Sequence, residues 1–261
     1  MRSTLFHIDA FASRLFTGNP AAVIPLDHFL DDARLQAIAA ENNVAETAFL
    51  VPSEGQYRLR WFTPAVEVPL CGHATLASAA AVMERLEPGR NSVTFHSASG
   101  PLGVRRAAAG YIMDFPSLPS ERVPVPAGLA DALGVAPREV TVNASNYLVL
   151  VESAKALRSL TPDMAAIARL DRDGVIVTAP GEDGYDFISR YFAPAKGIPE
   201  DPVTGSAHCM LAPYWSRKLH KTAFRAFQAS PRGGEVICRL RGDRVELEGT
   251  CVFYLEGQVE I

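Results

Sequence analysis

One stretch of this chain occurs twice. Arg60-Trp61-Phe62-Thr63-Pro64-Ala65 runs through Pro69 into Cys71-Gly72-His73-Ala74, and Arg190-Tyr191-Phe192-Ala193-Pro194-Ala195 runs through Pro199 into Thr204-Gly205-Ser206-Ala207. The copies stand 130 residues apart at the prolines (199 − 69) and 133 apart at the glycines (205 − 72), so the second carries three extra residues around Glu200-Asp201. That offset is about half of 261 residues, which predicts a duplicated unit and two lobes. In each copy an aromatic, extended run ends at proline, and glycine with small residues then opens an apolar stretch of helical length. The predicted grammar is strand, loop, helix N-terminus. The first turn of a helix exposes N–H groups without partners, and Gly72 and Gly205 let a ligand approach that backbone, so each copy offers an anion cradle. Tight helix packing is the alternative use of the same small residues.

The rest of the chain is punctuated consistently with this. Leu5 to Phe11 reads as a strand, and Phe16-Thr17-Gly18-Asn19-Pro20 as a hairpin turn with a Gly-Asn tip leading into Ala21-Ala22-Val23-Ile24. Asp31 and Asp32 can cap a helix ending near Asn43, and Val44 to Val51 is a strand in which Glu46 is the misfit. The stretch from Gly72 to about Met83 is apolar all round and predicts a buried central helix. Pro116 to Pro126 holds four prolines and predicts a linker, giving lobes 1–116 and 117–261, with the last strand, about 252–261, returning to the first lobe. Thr161-Pro162 is expected to cap a further helix, and a helix is expected from about Gly205 to Leu219. The elements predict strands and helices in an antiparallel arrangement rather than a wound βαβ one, with one buried helix per lobe.

Composition narrows the function classes. A net charge of −4 without acidic or basic blocks argues against nucleic acid and anionic membrane as partners. The start lacks a long apolar core and no stretch approaches the ~20 apolar residues of a membrane span, so a cytoplasmic protein is expected. Cysteines at 71, 209, 238 and 251 have no C-x-x-C spacing and no histidine pair has metal-ligand spacing, so reduced thiols and no metal are expected. No glycine-rich phosphate loop is visible, and no G-x-S-x-G elbow supports a hydrolase built from Asp201, Ser206 and His73 or His208.

Three side chains stand out chemically. Glu46, flanked by Ala45 and Ala48-Phe49, is either on the solvent face of its strand or buried, where it would make a usable proton carrier. His73 sits at a predicted helix N-terminus, whose dipole favours a neutral imidazole. Asp201 is either an ordinary helix cap or a group that meets a substrate amine or orients His73.

Phe16-Thr17-Gly18-Asn19-Pro20, Glu46-Thr47-Ala48-Phe49, Cys71-Gly72-His73-Ala74-Thr75 and Asp201-Pro202-Val203-Thr204-Gly205-Ser206-Ala207, in this order, resemble the PhzF family of phenazine-biosynthesis isomerases. The resemblance implies an α+β, diaminopimelate-epimerase-like fold of two pseudo-symmetric lobes, each a curled, mostly antiparallel sheet around a central helix, with the active site in the cleft. It also implies a cofactor-independent isomerase, a homodimer, that acts on a small-molecule carboxylate. Glu46 matches the family's proton-moving glutamate, and His73, Asp201 and Ser206 match its other catalytic positions. Asn19, Cys71, Gly72 and Gly205 fall on positions that would bind substrate. Racemases and epimerases of the same fold use two thiols. Cys71 is placed as the first of these, but its duplicate is Thr204, whose hydroxyl is no base near pH 7. A non-catalytic family member that binds a metabolite or a protein is the remaining alternative.

Overall fold

The alternating residues at the start of the chain form β1 (Arg2–Ala10), and the apolar run after Pro20 forms β2 (Asn19–Pro25), which pairs antiparallel with it from Phe6↔Val23 to Ala10↔Asn19. A computed structural model describes residues 1–261, and it folds into two units. The first comprises Met1–Asp114 with Glu248–Ile261, and the second Phe115–Leu247.

The first unit continues with α1 (Asp32–Asn42), β3 (Glu46–Ser53), β4 (Gln56–Phe62), β5 (Glu67–Val68), α2 (Gly72–Ala81), β6 (Ser92–Ser97), β7 (Gly100–Ala107) and β8 (Gly110–Pro116). The carboxylate of Asp31 accepts from the amide of Arg34 and starts α1, and Asn43 closes it in the left-handed conformation. α2 is buried from His73 to Ala81, as an all-apolar helix must be. Its two hydroxyls escape desolvation by turning back onto the helix: Thr75 donates to the carbonyl of Cys71 at 2.5 Å and Ser78 to that of Ala74 at 2.7 Å. The helix packs on β1, β2 and β3. A smaller core of Ile24, Leu26, Leu35, Phe49, Val51 and Phe62 fills the space under α1.

The second unit contains β9 (Glu121–Val123), α3 (Leu129–Leu133), β10 (Glu139–Val142), β11 (Asn146–Leu150), α4 (Ala154–Arg158), α5 (Met164–Ile167), β12 (Gly174–Pro180), β13 (Phe187–Ala193), β14 (Ile198–Asp201), α6 (Gly205–Leu219), β15 (Ala223–Gln228), β16 (Gly234–Arg241) and β17 (Arg244–Gly249). Its core gathers Leu133, Val149, Leu157, Val177, Ile188 and Phe192 from these elements. α5 is capped by the carboxylate of Asp163, which accepts from the amide of Ala166, and not by Thr161. Pro162 therefore lies before the cap. An aspartate reaching the third amide of the turn satisfies a donor that a proline at the first helical position would leave to solvent.

The duplication is visible in the ladders of each unit. In the first, β2 pairs parallel with β3 across α1, β3 pairs antiparallel with β4, and β4 pairs parallel with β6 across α2. In the second, β11 pairs parallel with β12 across α4 and α5, β12 antiparallel with β13, and β13 parallel with β15 across α6. Most ladders are antiparallel, but these four parallel joins correct the expectation of an arrangement without βαβ turns. A helix between two strands carries the chain back to the same end of the sheet, which hairpins cannot do. The last strand, β18 (Cys251–Glu260), pairs antiparallel with β1 from Arg2↔Glu260 to Ala10↔Cys251, with a bulge between His7 and Ile8.

Gly18-Asn19 is the re-entry to β2 rather than a hairpin tip, since Asn19 already pairs with Ala10. Gly18 turns the chain there at φ 70°, and a Cβ at this point would stand 2.3 Å from the carbonyl oxygen of Ala10. Gly18→Ala is therefore expected to lose about 2 kcal/mol or more, from the left-handed backbone and the clash together. Gly103→Ala, where the added methyl meets no atom within 4 Å, should stay within about 0.5 kcal/mol of the parent. Urea unfolding of the two variants checks the contrast.

Candidate active site

Four of the expected site residues come together in the first unit. Asn19 opens β2 and Glu46 opens β3, whose parallel register sets Glu46 beside Ala21. Cys71 is the N-cap of α2 in extended conformation, and His73 is the second residue of the helix. Strand starts and a helix start thus present these side chains together, and the misfit carboxylate of β3 is buried rather than on a solvent face.

The imidazole of His73 is the hub. Nδ2 of Asn19 lies 3.1 Å from its Nδ1, and Sγ of Cys71 lies 3.5 Å from the same nitrogen. Nε2 stands 3.0 Å from Oε2 of Glu46. In the neutral ring this places the proton on Nε2, facing the carboxylate. The approach is close but not aligned as a hydrogen bond, and both atoms are shielded from water.

Electrostatics reverse one expectation. Burial opposes charge on His73, but the negative charge that Cys71 and Glu46 can carry outweighs it and holds the imidazole well above its ordinary value. A carboxylate at 3.0 Å is a full charge at contact, whereas the helix end supplies about half a charge over its first turn. The ring therefore favours the cation that the helix dipole alone would disfavour. Burial pushes the Cys71 thiol up, with Glu46 adding to the effect and His73 opposing it.

Glu46, Cys71 and His73 bring possible ligand atoms within 4.8 Å of one another. The ring turns Nδ1 to Cys71 and Nε2 to Glu46.

The second unit holds the other expected residues. Asp201 ends β14, and Thr204 is the N-cap of α6, followed by Gly205 and the exposed Ser206. Asp201 is not the helix cap: its Oδ2 accepts from the hydroxyl of Thr204 at 2.5 Å. That bond uses the threonine oxygen, and neither α2 nor α6 has a side-chain cap at its N-cap residue. No N-cap side chain therefore satisfies the amides that open the two helices after Gly72 and Gly205.

Gln228 was not foreseen. It ends β15 and is fully buried. Its Oε1 accepts from the amide of Thr204 at 2.9 Å, and its Nε2 donates to the carbonyl of Asp201 at 2.8 Å and to Oγ1 of Thr204 at 3.2 Å. The available signal was of the same kind as for Glu46, a polar residue beside apolar strand positions, here after Phe227 at the end of β15. His208 donates from Nδ1 to the carbonyl of Thr204 at 2.8 Å, one turn back, and so serves the helix rather than a triad.

The fold and site have clear counterparts. A hydroxyproline epimerase from Agrobacterium vitis aligns with TM-score 0.62 at 11% identity, covering 99% of this chain and 92% of that one, which defines the epimerase-like fold class. The phenazine-biosynthesis-like protein model, PhzC-PhzF, matches residues 8–257. This chain belongs to that family. A PhzF-family phenazine biosynthesis protein from Enterococcus faecalis superposes with TM-score 0.97 at 42% identity over 100% of both chains. An uncharacterized isomerase of Pseudomonas aeruginosa is 49% identical over 261 residues, again 100% of both. No helix is long and apolar enough to cross a membrane.

Desolvation pushes His208 down to about 4. The unfolded chain therefore binds a proton that the folded one refuses, and stability should fall as pH drops from about 6.5 towards 4 and level off below, by about 3 kcal/mol in all. His208→Asn keeps an N–H donor for the Thr204 carbonyl and removes the titration. Urea unfolding across this window should show a shallower pH dependence in the variant.

Proposed function

We propose that this protein is a cofactor-independent isomerase that moves a proton from one carbon to another of a small, carboxylate-bearing cyclic or amino-acid-like metabolite. The observation that carries this reading is the buried pair of Glu46 and His73, 3.0 Å apart with Oε2 and Nε2 both lacking a hydrogen bond. The Glu46 carboxylate takes the proton from carbon, and the electrons left behind delocalise into the substrate. The same carboxyl group then returns the proton to a second carbon, so no redox partner or cofactor is consumed. His73, favoured as a cation, stabilises negative charge as it develops. Asp201 and Ser206, with the amides of Gly72 and Gly205, hold the polar groups of the substrate. The isomerase name of a relative at 49% identity over the full chain supports the class of reaction. On family resemblance the protein works as a cytoplasmic homodimer.

The two-base racemase reading rests on Cys71, whose sulfur lies beside Nδ1 of His73. It lacks its second thiol, and the hydroxyl at the duplicate position is spent on Asp201.

Incubation with cyclic and acyclic amino acids and hydroxy acids in heavy water, followed by mass spectrometry, tests the proposal. Wild type should incorporate deuterium into its substrate, and Glu46→Gln should lose about 10²–10⁴-fold in exchange rate while still binding. Retained exchange in that variant would sink the assignment. Cys71→Ser should keep exchange, and its abolition with inversion at a stereocentre would point to the thiol mechanism. Ligand-induced thermal stabilisation of wild type without any exchange would identify a binding protein.

Deuterated substrate adds a second check. A primary isotope effect on turnover is expected with wild type, because breaking the carbon–hydrogen bond is the chemistry assigned to Glu46.

A further inference from the structure

Asp201 is held by Thr204 and Gln228. The carboxylate receives the hydroxyl of Thr204, and that hydroxyl oxygen in turn receives an N–H from Gln228. A hydroxyl has one proton. With its oxygen accepting from Gln228, the proton is directed to Asp201. The same amide group takes the backbone carbonyl of Asp201 and the backbone amide of Thr204, so Gln228 spans the whole turn between β14 and α6. Ser230, two residues on, donates to the carbonyl of Pro202 at 2.8 Å and accepts from the amide of Gly233 at 3.1 Å. The acidic insertion that distinguishes the second copy of the repeat is therefore held from β15 and the loop after it. These bonds lie in a buried setting, where a satisfied network fixes one arrangement.

We propose that Gln228 is a positioning residue, which acts through Thr204 to aim and stabilise the charged carboxylate of Asp201. The inference deepens the isomerase reading, since it rests on Asp201 as a substrate-holding group. Other groups face Asp201 within this unit. Tyr191 is its partner across the β13–β14 ladder, with its hydroxyl pushed up by burial and then by Asp201 and Asp173. The neighbouring Glu200 is neutralised by Arg190 at 2.7 Å. Loss of the Thr204 hydroxyl donor should register on the Asp201 carboxyl itself.

The test follows the side-chain carboxyl signal of Asp201 by carbon-13 NMR of aspartate-labelled protein, assigned with Asp201→Asn, as a function of pH. Thr204→Val removes the donor, and Gln228→Met removes the group that aims it without adding charge. Each should raise the Asp201 midpoint, by up to about tenfold in proton affinity for Thr204→Val. The double variant should rise no further than the larger single, because both act on one bond. Thr204→Ser, which keeps the hydroxyl, should titrate as wild type. An unchanged midpoint in Thr204→Val, or in Gln228→Met with cooperative unfolding intact, overturns the proposal, as does a double-variant shift equal to the sum of the singles. The titration is read without turnover. Wild type that exchanges no deuterium would count against the isomerase reading and leave this result to stand.

Discussion

A carboxylate and an imidazole 3.0 Å apart, shut away from water in the first unit, form the interaction to which the rest of the site is fitted. Burial alone would drive such groups to neutrality. Here contact with Glu46 raises the proton affinity of the imidazole against that burial. Asn19 and Cys71 meet the far side of the ring, and α2 brings His73 in on a stretch of small residues that lets the helix lie close to β1, β2 and β3. A larger side chain along α2 would lift the helix and open the pair.

Duplication supplied two strand–helix frames of the same order, and the chemistry lies where the copies depart from each other. Both helices begin with glycine after an N-cap that offers no side-chain cap. In the first copy that N-cap is a thiol beside a histidine. In the second it is a hydroxyl bound to the inserted aspartate.

Much of this was legible in the order of residues, for identifiable reasons. Glu46 stood out because a carboxylate inside an apolar strand has no local partner, and Gly72 and Gly205 because a repeated glycine after proline marks a helix start. The preference of His73 for its charged form was not legible: it depends on Glu46 at contact, which only the parallel pairing of β2 with β3 and the packing of α2 bring about. The parallel joins themselves escaped notice because periodicity within a strand says nothing about which neighbour it takes. Gln228 escaped because β15 is short and interrupted by Arg225, and its three bonds reach back to residues far earlier in the chain.

The pairing of β18 with β1 has a consequence for how the molecule is made. β1 is synthesised before every strand of the second unit, and its partner β18 only after them. Every residue of the second unit lies between them in sequence. The second unit can gather its own core while synthesis continues, whereas the unit that carries Glu46 and His73 must wait with one edge of β1 unpaired. The unit that carries Glu46 and His73 is thus completed only after the second unit has been made, and a chain cut short before Cys251 would leave one edge of β1 unpaired.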